Sequence, residues 1–286
     1  MGIAFTAEKS LRRECTRAPV KRGATFFRRY LSALGQCILA FGPGVFFRKY
    51  RNLIHQIATN SGPFSISGTK VSELIPEISW SRLLETPPPV LVLEPDAANG
   101  NVSALELLCI NQWICHTKAK TIFEIGTFDG RTTLNMAVNI GSEGRIYTLD
   151  LPAKEVDQTA LPLCPGDRLH IQKPASGNRF LYRKERTKIE QFFGDSGSFD
   201  FRPYFGKFDL VFVDGSHSYS YVKNDSEIAL RLLKTGKGCI LWHDYGVFEG
   251  VTRGLNDLFV SHPELRRMQR IAGTSLVICT AGDGAR

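Results

Sequence analysis

The chain has 286 residues, 43% of them hydrophobic and 22% charged, a globular composition that excludes wholesale disorder, collagen and coiled coil. A chain of this length buries roughly 75% of its unfolded surface, so neither disulfides nor a structural metal is required for stability. The net charge of +8 hints at nucleic acid, but residues 1–51 hold eleven Lys/Arg against two Glu, and the remaining 235 residues sum to −1. The basicity belongs to an N-terminal arm, and no nucleic-acid partner is expected.

Residues 1–89 are read as this arm and its linker. Within it, Tyr30 to Phe47 is an uncharged run between Arg28-Arg29 and Arg48-Lys49. Its length is near the minimum for a membrane span, but Gly42-Pro43-Gly44 breaks any helix there. The late start and the lack of a small-residue cleavage site argue against a signal peptide. Two readings stay open: a peripheral membrane or partner contact through residues 28–49, or a helical lid or dimer contact, and hence a homo-oligomer, whose charges are simply solvated. Met1-Gly2-Ile3-Ala4-Phe5-Thr6 also fits a myristoylation pattern. The seven cysteines are odd in number and lack a C-x-x-C pair, which points to reduced thiols in a cytoplasmic chain. Pro87-Pro88-Pro89 marks a stiff linker, and the catalytic domain is placed at residues 90–286.

From Asn101 onward strands and helices alternate. Ser103 with Glu106 is a capping box that opens a helix, SALELLCINQWI. A strand follows at Thr121–Gly126, a helix at 131–140, and strands at 145–150 and 188–193. A strand at 208–214 leads to a helix at 219–234. A strand at 239–244, a helix near 251–260 and a strand at 275–280 complete the chain. The alternation predicts an α/β, Rossmann-like, doubly wound, mostly parallel sheet covered on both faces. Ligands in such sheets bind beyond the carboxyl ends of the strands. Four strand ends carry acids: Glu124, Asp150, Asp214 and the pair His243-Asp244. Structure alone has no reason to prefer acids there.

The first turn, Glu124-Ile-Gly126-Thr-Phe-Asp-Gly130, lets backbone approach a ligand at its two glycines. It is not G-x-G-x-x-G, which disfavours a dinucleotide and a nicotinamide-dependent dehydrogenase. Glu124 in the turn disfavours phosphate. Asp150 stands where a carboxylate accepts from ribose hydroxyls, and Asp195 of Gly194-Asp195-Ser196 is placed to accept from an adenine amino group. Ribose and adenine acceptors without a phosphate cradle suggest S-adenosylmethionine. The bland readings are a tight turn for Gly126 and a helix cap for Asp195. Asp214 and Asp244 end neighbouring strands about 5 Å apart, and two such carboxylates repel unless a cation lies between them. Oxygen ligands favour Mg²⁺, whereas His243 would shift preference toward Mn²⁺, Fe²⁺ or Zn²⁺. The alternative is that both acids bind substrate or cap loops.

The ordered set FEIGTFDGRTT, YTLD, GDS and VDGSHSY resembles class I S-adenosylmethionine-dependent methyltransferases. It is most similar to the bacterial small-molecule and sugar O-methyltransferase branch, with a glycine turn similar to that of catechol O-methyltransferase. The resemblance covers about residues 100–280. It implies that Glu124, Gly126 and Thr127 hold the methionine end of the cofactor, Asp150 the ribose, and Asp195 with Ser196 the adenine end. It implies a divalent-metal site at Asp214, His243 and Asp244, although His departs from the usual acid or amide. It also implies that His217, in Asp214-Gly-Ser-His217, is the general base toward a hydroxyl of a sugar, polyketide or other small metabolite. A loop hydrogen bond is the alternative for His217. Two further functional readings stay open: a metal-independent methyltransferase, and a catalytically silent binding protein tethered by its basic arm.

Overall fold

The computed structural model describes residues 71–173 and 175–280. The arm through residue 70 lies outside the described residues. With it lie residues 28–49, the myristoylation pattern, Cys15 and Cys37.

The centre of the sheet is built from short β-branched and aromatic runs. These are β2 (Thr121–Ile125), β5 (Leu210–Val213) and β6 (Cys239–Trp242). β5 and β6 are buried at every position, the pattern of strands covered on both faces. β3 (Arg145–Asp150) and β4 (Ile189–Phe193) extend the sheet on one side. β1 (Glu77–Ile78), β7 (Gln269–Ile271) and β8 (Val277–Thr280) extend it on the other. The order is β1-β7-β8-β6-β5-β2-β3-β4. β2 through β6 are mutually parallel, and β8 runs antiparallel to both β6 and β7. The reversal has a simple cause: five residues separate β7 from β8, enough for a hairpin but far short of a parallel crossover.

Alternation along the strands sorts their side chains to two faces. Phe123, Ile125, Val211, Val213, Ile240 and Trp242 join one apolar layer with Val222 and Ala229 of α5 (Tyr219–Leu232) and Leu255 of α6 (Glu249–Ser261). Ile122, Leu210, Phe212 and Leu241 join the other. There they meet Leu107, Ile110 and Ile114 of α2 (Ala104–Thr117) and Leu134 and Met136 of α3 (Arg131–Asn139). Each such side chain contributes about 1.5–3 kcal/mol through burial. Trp242 and Tyr245 are core residues, and the Tyr245 hydroxyl accepts from the backbone N–H groups of Leu74 and Ile75.

The expected Rossmann-like sheet and its helices are present. Four strands and α-helices escaped the sequence reading: β1, β7 and the short helices at Trp80–Leu83 (α1) and Asp167–Ile171. β1 pairs with β7, so residues on the arm side of the expected boundary at 89 join the catalytic sheet. The triple proline also touches the body, because Gln112 donates to the Pro88 carbonyl at 3.3 Å. No helix among the described residues is long and apolar enough to cross a membrane.

Candidate active site

Strand register builds the site. Ile125 stands opposite Leu149 on one side and Val213 on the other, and Val213 opposite Trp242. The next residues, Gly126, Asp150, Asp214 and His243, therefore form one row across four adjacent parallel strands. Strand order reverses between β2 and β5, where a crevice opens in this class of sheet. Gly126 is required by its neighbour: at φ 104° its backbone lies so close to β5 that a Cβ would stand 1.9 Å from the Asp214 carbonyl oxygen.

Glu124 precedes the row by two residues, so parity turns it toward α3 and into full burial. Its Oε2 accepts from Thr133 at 2.5 Å and Thr148 at 2.6 Å. Thr148 is also 2.6 Å from the Thr127 hydroxyl, so Thr127, expected at the cofactor, is tied into this chain. Glu124 Oε1 has no hydrogen-bond partner among the described residues. Burial, reinforced by the charges of Asp214 and Asp150, pushes the Glu124 carboxyl up to about 8 against the pull of the two threonines. Burial likewise pushes Asp225 up to about 7, against hydrogen bonds from Asn224 and Ser196.

A carboxyl that titrates higher when folded binds more protons in the native state, so stability falls as pH rises between the unfolded and folded values. The melting temperature is therefore expected to fall from pH 5 to pH 8, with a loss of roughly 2–5 kcal/mol. Glu124→Gln is expected to flatten the slope. A melting temperature that climbs over this range would contradict the burial of these two acids.

Asp150 ends β3 beside the turn. Its Oδ1 accepts from the Phe128 N–H at 3.1 Å, and Lys173 Nζ lies 2.6 Å from Oδ2. Phe128 has φ 50°, a strained conformation for a bulky residue. Its ring meets His170 edge-on at 5.6 Å. Lys173 and His170 belong to the long segment 151–187 between β3 and β4, here termed the cover, which holds α4 (Asp167–Ile171).

Asp195 is buried and already accepts from the Ala160 and Gly197 N–H groups, at 2.6 and 2.9 Å, and from the Tyr221 hydroxyl at 2.6 Å. A carboxylate accepts about four hydrogen bonds, which leaves it room for one more. The Ser196 carbonyl accepts from Asn224. Asp195 and Ser196 thus serve as a clasp between the β4 loop, the cover and α5.

His217 is clamped. Its Nδ1 is 2.5 Å from Asp167 Oδ1 and its Nε2 is 2.9 Å from Asp244 Oδ2, and its ring stacks on Phe248 at 3.9 Å. Burial opposes charging this imidazole, but the two carboxylates outweigh it and lift its pKa to about 10. His243 Nδ1 lies 3.0 Å from Asp214 Oδ1 and 3.2 Å from Asp244 Oδ2. Its Nε2 lies 3.2 Å from Glu106 Oε2. Asp214, His243 and Asp244 each offer a ligand atom, all within 4.8 Å of one another. Asp244 takes the left-handed conformation at φ 68°, which Asp tolerates better than most residues. This turns its carboxylate back toward both imidazoles.

Asp167, Lys173, His170 and the His243 contact of Glu106 had no sequence signal. Asp167 opens a helix of five residues, too short to show a periodic pattern, Lys173 follows it, and Glu106 was visible only as half of a helix cap.

Residues 123–245 match the family described as a methyltransferase domain. No curated protein matches the chain. Among solved structures, it is similar to an SAH-bound methyltransferase from Podospora anserina at 17% identity, over 65% of this chain and 81% of that one, with a TM-score of 0.48. It is also similar to an O-methyltransferase from Bacillus cereus in complex with SAH, at 17% identity over 64% and 84%, with a TM-score of 0.44. A third is a SAM-bound O-methyltransferase of tomaymycin synthesis from Streptomyces achromogenes, at 17% identity over 71% and 94%, with a TM-score of 0.43. The family match covers the parallel core from β2 through β6 and takes in Glu124, Gly126, Asp150, Asp195, Asp214, His217, His243 and Asp244.

Proposed function

We propose that the enzyme transfers the methyl group of S-adenosylmethionine to a hydroxyl of a sugar, polyketide or other small metabolite, with help from a divalent cation. The observation that carries this reading is the row itself: Asp150 at one end and Asp214, His243 and Asp244 at the other, with His217 on Asp244. Asp150, Asp167, Asp214 and Asp244, with Glu106 behind His243, make five carboxylates against Lys173, His217 and His243 as their cationic partners among the described residues. A cofactor bearing a sulfonium and an ammonium group suits that surplus of negative charge. The acceptor capacity left on Asp150 and Asp195 also fits such a nucleoside.

The chain's own residues divide the work. Asp150 orients the ribose. The glycine turn admits the methionine end. Asp167 and Phe248 fix the His217 ring so that Nε2 faces the row, where a proton leaving the acceptor oxygen would be taken. A divalent cation on Asp214, Asp244 and His243 would lower the acceptor hydroxyl's pKa as a Lewis acid.

Removing divalent ions with EDTA is expected to suppress turnover by at least tenfold, with Mn²⁺ or Mg²⁺ restoring it. Full activity in excess EDTA would reject the metal-assisted form. One observation favours that second, metal-independent reading: His217 and His243 already neutralise Asp214 and Asp244 by ion pairing.

A further inference from the structure

Glu106 is the third residue of α2, and its carboxylate is divided between two tasks. Oε2 receives the Ser103 N–H at 2.7 Å and Oε1 receives the Ser275 N–H and hydroxyl at 2.8 and 2.7 Å. These bonds cap the helix and tie it to the approach to β8. They also lock the carboxylate in place with Oε2 against His243 Nε2. Glu106 and His243 are both buried away from solvent, with side chains 7% and 10% exposed.

The two ring nitrogens of a histidine are distinct, and the partner of one sets the role of the other. A fixed carboxylate at Nε2 keeps that nitrogen the N–H donor and leaves Nδ1, beside Asp214 and Asp244, as the nitrogen that gives up its proton when a metal ion binds. The separations from Nδ1 to the two carboxylate oxygens, 3.0 and 3.2 Å, match neighbouring ligands around an ion whose bonds are about 2.1 Å. Carboxylate, histidine and ion in line is how proteins orient and strengthen an imidazole ligand.

We propose that Glu106 is a positioning residue that makes His243 Nδ1 a metal ligand, so that the site takes an imidazole-accepting divalent ion such as Mn²⁺, Fe²⁺ or Zn²⁺ in preference to Mg²⁺. This deepens the proposed function and rests on its metal site. Sequence spacing alone marks Glu106 as a helix cap. The fold makes the cap serve the site, because α2 begins beside the end of β6.

The test is calorimetric titration of the full-length, chelator-treated chain with Mn²⁺ and with Mg²⁺, supported by the electron paramagnetic resonance of Mn²⁺. The wild type is expected to bind Mn²⁺ at least tenfold more tightly than Mg²⁺. Glu106→Gln is expected to weaken Mn²⁺ binding about 10–100-fold. Ser103→Ala, which loosens the same helix cap but leaves the Glu106 carboxylate on His243, is expected to bind Mn²⁺ as the wild type does. Wild-type Mn²⁺ affinity in Glu106→Gln would overturn the inference, as would equal losses in both variants. If Glu106→Gln does not fold, His243→Asn carries the test: it is expected to erase the preference for Mn²⁺, and an unchanged Mn²⁺/Mg²⁺ ratio would overturn the inference. A wild type that binds neither ion would instead defeat the metal site itself, and this inference with it.

Discussion

Asp150→Ala is expected to cut the affinity for S-adenosylhomocysteine by about 10²–10⁴-fold. Each hydrogen bond from a ribose hydroxyl to a charged carboxylate is worth about 1.5–3 kcal/mol, and each 1.4 kcal/mol is tenfold in affinity. Calorimetry on the purified chain reads this directly, without knowledge of the methyl acceptor. The same substitution also breaks the Lys173 ion pair and frees the Phe128 N–H, so Lys173→Met is the necessary companion. If the pair only braces the cover, Lys173→Met reproduces the loss. If Asp150 is the ribose acceptor, Lys173→Met keeps cofactor affinity within a few-fold of wild type. Unchanged affinity in Asp150→Ala would remove the cofactor from this end of the row.

His217→Ala is expected to lower kcat by about 10²–10⁴ if the imidazole takes the acceptor proton. The clamp gives this prediction a pH signature. Asp167 and Asp244 hold the ring protonated at neutral pH, and only the neutral form accepts a proton. The rate of the wild type is therefore expected to rise with pH toward about 10. His217→Ala loses that limb. Asp167→Asn removes one of the charges that stabilise the imidazolium, which lowers the pKa and moves the limb to lower pH. A kcat loss below tenfold, or a limb unmoved by Asp167→Asn, would take His217 out of the base role.

The parallel core was legible because its strands are short apolar runs with clear breaks, and its helices carry apolar faces and a capping box. β1 and β7 were not, because two or three residues such as Glu77-Ile78 and Gln269-Arg270-Ile271 have no periodicity to detect. Their pairing comes from position at the sheet edge. The strand-end rule placed Asp150, Asp214, His243 and Asp244 in one row. It served Glu124 less well. That residue lies inside its strand, and alternation aims it at α3, where threonine hydroxyls receive it in place of open crevice.

Sequence by itself determined which residue types reach the rim of the sheet, since strand length and register depend on local pattern. Only the tertiary structure decided what each of them faces. Asp167 and Lys173 arrive from the cover, whose helix of five residues is too short to show a periodic pattern. Glu106 arrives from a helix start that meets β6 only once the layers are packed. Partners at separations of 50 and 137 residues depend on the closure of the whole sheet. The charge state of His217 and which nitrogen of His243 gives up its proton depend on those partners.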